Sequence, residues 1–154
     1  MNKLGLSIIS ILLLVIFFGA YKFIYKGNVV TAIDGRIAIV LTAAEKDLIL
    51  EEMRGFLSAT QQIVQAVSHD NMDTVITAAK TVGRAAQAEV PASLVGKLPM
   101  AFKKLGFDTH TKFDELAMDA QDMEDKEQTL KLLGQLMQNC VACHAAYRLD
   151  LESK

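Results

Sequence analysis

Leu4 to Tyr21 reads LGLSIISILLLVIFFGAY and carries no charge over 18 residues. As a helix it would extend about 27 Å at 1.5 Å per residue, close to the ~30 Å hydrocarbon thickness of a bilayer. Phe23, Ile24 and Tyr25 carry the apolar run past Lys22. The chain is 51% hydrophobic, and the excess is concentrated in this segment. A cleaved signal peptide needs a shorter apolar stretch and small residues before the cut. The best cut, after Ala20, would place bulky Phe18 three residues upstream, where a small side chain is required. Residues 1–26 are therefore read as a retained anchor that enters the membrane through residues 4–25. Either fate sends the remainder out of the cytoplasm. Lys22, Lys26 and Arg36 follow the segment, whereas Lys3 and the amino terminus precede it. That distribution weakly favours the opposite topology under the positive-inside rule. The chemistry of a C-terminal motif, described below, outweighs it.

The remainder suits one domain, since the whole chain has 154 residues. Beyond residue 27 it keeps 13 Lys and Arg against 18 acids, a formal charge of −5. This leaves no basic patch for nucleic acid. Residues 27–41, GNVVTAIDGRIAIVL, are rich in β-branched side chains around Asp34-Gly35, which is a hairpin signal. We read them as a linker lying against the domain, with a short strand or hairpin as the alternative.

Four amphipathic helices follow. Thr42 and Glu45 form a capping box, and Ile49, Met53, Phe56, Thr60, Ile63 or Val64, and Val67 mark one face of a helix over about 43–68. Asp70 or Asn71 caps a second helix over about 72–88, rich in small residues. Pro91 and Pro99 bracket a connection. A third helical region covers about 100–123, with a kink or break expected at Gly106. The fourth is placed over about 126–149. No strand alternation strong enough for a sheet core is evident. The fold class is all-α: a four-helix bundle over 42–154 behind one N-terminal transmembrane helix.

Both cysteines of the chain fall in QNCVACHAAYRLD, as Cys140-x-x-Cys143-His144. This is the attachment signal for c-type haem. Two thiols add to the two haem vinyl groups, and the adjoining histidine ligates the iron. At i, i+3 and i+4 all three share one helix face. A zinc site would need His69 and His110 to converge here as well. A thioredoxin-like pair would need a βαβ context that the pattern lacks. Haem is attached outside the cytoplasmic membrane, so motif and anchor support each other.

The placement of CVACHAAYR near the end of a four-helix chain resembles class II c-type cytochromes, the cytochrome c-prime family and its low-spin relatives. The likeness covers residues 42–151 by architecture and is specific at Cys140, Cys143, His144, Tyr147 and Arg148. It implies one haem c, linked by thioethers to Cys140 and Cys143 and ligated by His144, with Tyr147 and Arg148 beside it. It also implies a distal face supplied by the first helix, where low-spin members carry a methionine. Met53 is the only methionine in that helix and becomes the candidate sixth ligand. The competing reading is core packing, with Leu50, Phe56 or Leu57 over the iron. Met72, Met100, Met118, Met123 and Met137 are read as core or boundary residues. His110 and Asp114, four apart, are expected to pair at the surface, with a distal ligand or proton relay as the functional alternative. His69 is expected at a helix end.

The expected function is that of a membrane-anchored cytochrome passing single electrons, not an enzyme. It would sit in the bacterial inner membrane with the haem domain on the periplasmic side. Membrane-bound or periplasmic redox proteins would be its partners, and a homodimer is compatible with such a chain. The alternative is a five-coordinate haem that binds NO or CO. A third role is that of a relay subunit in a larger assembly, docked through residues 27–41.

Overall fold

The computed structural model describes residues 3–152, of which the greater part is helical. Helix α1 (Lys3–Ala20) widens into a π-helical turn over Tyr21–Lys26. The segment Gly5–Lys26 is long and apolar enough to cross a membrane, and no part of its 18-residue apolar window is buried in the rest of the chain. Residues 27–41 are a hairpin rather than a linker: β1 (Val29–Thr31) and β2 (Ile37–Leu41) turn at Asp34-Gly35. Gly35 has φ +83°, the left-handed geometry such a turn requires of glycine.

Five further helices follow: α2 (Ala43–Ser68), α3 (Met72–Thr81), α4 (Ala92–Lys97), α5 (Met100–Met123) and α6 (Lys126–Ala146). The capping box of α2 forms as expected: Glu45 N–H donates to the Thr42 hydroxyl, and Thr42 N–H donates to the Glu45 carboxylate. Asn71 rather than Asp70 caps α3, accepting from the Thr74 amide. Helix α3 ends at Thr81, not near Ala88; a bend at Val82-Gly83 leads into a 3₁₀ turn over Arg84–Glu89. Two outside groups hold that bend. The Val82 and Gly83 carbonyls face the His110 ring, and Asp114 accepts from the Arg84 amide. Helix α5 continues through Gly106, where no break occurs.

Helices α2, α3, α5 and α6 pack around one apolar cluster, with Ile63, Val75, Phe113, Leu116 and Leu136 fully buried. Burial of each such side chain contributes about 1.5–3 kcal/mol before entropy is counted. The helix α2 face expected from periodicity is the observed one at Ile49, Phe56, Ile63 and Val67, while Val64 is exposed. Met118, Met123 and Met137 are exposed, contrary to their reading as core or boundary residues. Each occupies the solvent side of a helix whose other face already fills the core.

The fourth helix stops at Ala146, three residues short of its expected end. Tyr147–Leu151 is a strand, β3, parallel to β2 with Ile37 opposite Tyr147 and Leu41 opposite Leu151. The sheet order is β1-β2-β3. YRLDL alternates apolar and polar residues, which is the strand period. Arg36 ties the switch down by donating to the carbonyls of His144 and Tyr147. The hairpin thus pairs with the chain's own tail. A second apolar cluster forms where sheet and helices meet, around Ile39, Leu41, Ile49, Leu94, Leu98 and Tyr147.

Candidate functional site

The last two turns of α6 place Cys140, Cys143 and His144 where the core of α2, α5 and α6 meets the sheet. Cys140 packs against the helical cluster and Cys143 against the sheet cluster. Met53 touches both clusters from α2. Between them lies a cleft of about 310 Å³. Met53, Cys143 and His144 line it, with Leu50, Tyr147 and Arg148 among the other walls. Five of the six residues expected at the site therefore share one cleft. Cys140 stands one turn back on the same helix face, half-buried at its inner end.

Helix geometry explains the arrangement. Positions 140, 143 and 144 fall on adjoining edges of one face. Cys143 turns inward, and His144 lies at the exposed edge beside α2. Its ring has no hydrogen-bond partner among the described residues, so both imidazole nitrogens are uncommitted. Leu50 lines the cleft, and Leu57 and Val64 continue its row along α2 at seven-residue steps. On α6, Met137 and Val141 flank His144 and are likewise exposed. Helices α2 and α6 meet less closely than the other neighbouring pairs of the core. The cleft therefore opens on an apolar seam. Leu57 is 72% exposed on α2, so it does not cover the site, and Phe56 is buried in the core.

Both cysteines are free, and both thiols are held in the neutral form. Burial pushes Cys140 up, and burial together with the nearby Cys140 pushes Cys143 up to about 11. A thiol–disulfide exchange centre needs the reverse, a thiolate stabilised near neutral pH. Cations rim the cleft instead. Arg36, Lys46 and Arg148 line it. Arg36 is tied to Asp34 at 2.7 Å, and Arg148 to Asp150 at 2.8 Å and Asp34 at 3.4 Å. The Tyr147 ring packs edge-on against Phe102 at 5.3 Å. Tyr147 and Arg148 reach the cleft from a strand, not from a continued helix.

The other histidines lie elsewhere. His69 is the C-cap of α2, with its ring against the Gln65 carbonyl at 2.8 Å, at the end of α2 remote from the cysteines. Zinc ligation by His69 with Cys140 and Cys143 has no geometric basis. His110 does not pair with Asp114, and it is not at the surface. It is 1% exposed, with Nδ1 on the Val82 carbonyl at 2.8 Å and Nε2 on Glu52 at 3.1 Å. Burial opposes its charged form, but Glu52 and the Val82 and Gly83 carbonyls outweigh burial and raise its pKa. Acceptors at both ring nitrogens favour the protonated ring, which ties α2, α5 and the end of α3 together away from the cleft. Glu52 was missed in the sequence; its one signal was a charge placed one step from Met53 on the helix's inner half.

The cleft brings together the residue types that a covalent haem would use: the Cys143 thiol with Cys140 one turn back, the His144 imidazole, the Met53 thioether and the rim cations Arg36, Lys46 and Arg148. Comparison with known proteins adds nothing to this: no protein family, curated protein or solved structure matches the chain.

Proposed function

We propose that this chain is a membrane-anchored c-type cytochrome that transfers single electrons through one covalently attached haem. The observation that carries the reading is the convergence of Cys143, His144 and Met53 on one cleft, with Cys140 one turn back. Bound haem would supply a one-electron redox centre. Cys140 and Cys143 would hold it by thioethers, and His144 would ligate the iron through an imidazole nitrogen. Met53, in the wall of the same cleft, would supply a second, thioether ligand, and a His–Met pair raises the potential in electron-transfer cytochromes. Arg36, Lys46 and Arg148 would balance the carboxylates, and Tyr147 and Phe102 would limit water at the apolar wall.

The packing of α2, α3, α5 and α6 around one core supports the class II cytochrome bundle as the fold of this domain. The apolar helix α1 supports the membrane as its location, and haem attachment chemistry supports the outer, periplasmic side. Residues 27–41, the docking surface of the relay-subunit reading, pair within the chain and keep Val30, Ile33 and Ile37 exposed.

The test is the absorption spectrum of exported, matured protein, oxidised and reduced, with and without CO. A sharp low-spin spectrum indifferent to CO is expected. Met53→Ala should make the site high-spin, open it to CO and lower the potential. A native high-spin spectrum that shifts with CO would transfer the assignment to an NO- or CO-binding haem. Absence of covalent haem would refute the proposal.

A further inference from the structure

One residue separates the end of the apolar helix from a backbone hydrogen bond to the domain. The helix ends at Lys26, Gly27 follows, and the Asn28 amide already donates to the Lys97 carbonyl at 2.7 Å. The Asn28 carbonyl accepts from Val40, and its side-chain amide donates back to the Val40 carbonyl at 2.9 Å. Further up, Lys103 donates to the Ile24 carbonyl at 2.7 Å, and Phe23 packs beside Gly96. Gly27 has φ +70° and lies so close to Leu98 and Pro99 that a Cβ would sit 2.7 Å from their backbone atoms. The end of the anchor is thus clamped on α4 and α5, with no slack for swinging.

The clamp also fixes which end of the domain faces the anchor. Lys97 holds Asn28, and it bridges Glu45 in the first turn of α2 and Glu152 beyond β3. Strand β3 runs from Tyr147, in the wall of the cleft, to this junction. Five residues at about 3.3 Å each put the cleft within ~17 Å of the clamp. The opposite end of the domain lies a full α2 length away, 26 residues or about 39 Å. The Met53–His144 cleft is at the anchored end.

We propose that anchor and domain form one rigid unit that presents the cleft at the membrane surface, so that its electron partner is an integral membrane protein whose redox centre lies at that same surface. This rests on the cytochrome reading above. A diffusing soluble carrier is better served by a cleft on the far end or by a long linker, which lets a tethered domain sample a wide volume. Here the restraint removes that search and holds the cleft in one layer.

The test uses exported, haem-loaded full chain in lipid nanodiscs. Cysteines introduced by Asp47→Cys, near the cleft, and Asp122→Cys, at the far end, carry spin labels, with Cys140 and Cys143 consumed by thioethers. Gadolinium-bearing headgroups should speed relaxation of the first label several-fold more than the second. A 12-residue Gly/Ser insertion between Lys26 and Gly27 should remove most of that difference. In the second arm, washed native membranes free of soluble proteins are supplied with a respiratory substrate. They should exchange electrons with the haem of the unmodified chain. The insertion variant, with its spectrum retained, should do so about tenfold more slowly, and the point variant Gly27→Ala should also be slower. Equal relaxation of the two labels would overturn the rigid geometry. Electron exchange that needs the soluble fraction, or is indifferent to the insertion, would overturn the membrane-protein partner. A chain that takes up no haem, yet shows the label difference once Cys140→Ser and Cys143→Ser leave only the introduced thiols, would overturn the cytochrome reading and leave the clamp standing.

Discussion

Gly27 is the residue on which the junction between anchor and domain turns, and Gly27→Ala tests it. Its backbone sits at φ +70°, ψ −164°, a region open essentially to glycine alone. Holding alanine there costs about 1–3 kcal/mol. The added Cβ would also meet Leu98 C and Pro99 N at 2.7 Å, and backbone atoms cannot rotate away as a side chain tip can. Relief requires moving Asn28 off the Lys97 carbonyl, which forfeits about 0.5–1.5 kcal/mol for that bond. The local penalty is then about 2–4 kcal/mol. At ~1.4 kcal/mol per factor of ten, protection of the junction should fall about 30-fold or more. Gly35→Ala is the control. It too has positive φ, +83°, but nothing lies within 4 Å of its Cβ position, so only the left-handed cost of about 1–2 kcal/mol applies. Native-state hydrogen exchange on the full chain in micelles reads both, at the Asn28 and Val40 amides, with Ile63 as a core reference. Exchange at Asn28 and Val40 should accelerate far more in Gly27→Ala than in Gly35→Ala, with Ile63 little changed. If the two variants agree within threefold at those amides, the clamp reasoning is wrong.

His110 has a folded pKa raised above its unfolded value of ~6.5. Its stabilisation is complete below that unfolded value and is lost as pH rises through the folded one. The urea midpoint should therefore fall over this window in the native chain, and His110→Gln should flatten the change. In chain produced without haem attachment, Cys143 should react slowly with alkylating agents at neutral pH. Its rate should climb with pH towards an inflection near 11, and an inflection below 8 would refute the neutral-thiol assignment. Thr42→Ala removes the hydroxyl that accepts from Glu45 and should lower stability by about 1 kcal/mol, measured by urea unfolding, without altering the haem spectrum.

Local signals in the sequence were sufficient for much of the helical framework. Thr42 and Glu45 cap α2 because their spacing suits two reciprocal bonds within one turn. Ile49, Phe56, Ile63 and Val67 face the core because steps of three and four stack on one side of a helix. Cys140, Cys143 and His144 share a face for the same reason, so this side of the candidate site was legible before any tertiary information. Met53 was legible as a core-facing methionine on that first helix.

What tertiary structure decided were the interactions between residues distant in sequence. The tail Tyr147–Leu151 alternates like a strand, but it becomes one only because β2 offers an edge and Arg36 holds the His144 and Tyr147 carbonyls at the turn. His110 looked like half of a surface pair with Asp114. The partners that bury it, Glu52 and Val82, lie 58 and 28 positions away. The seeming linker at 27–41 became the sheet that ties anchor to tail, because its partner strand lies over a hundred residues further on. Periodicity and capping act within a few residues and are written in order along the chain. Strand pairing, buried ion pairs and the clamp at Gly27 depend on which distant backbone arrives alongside, and only the assembled fold determines that.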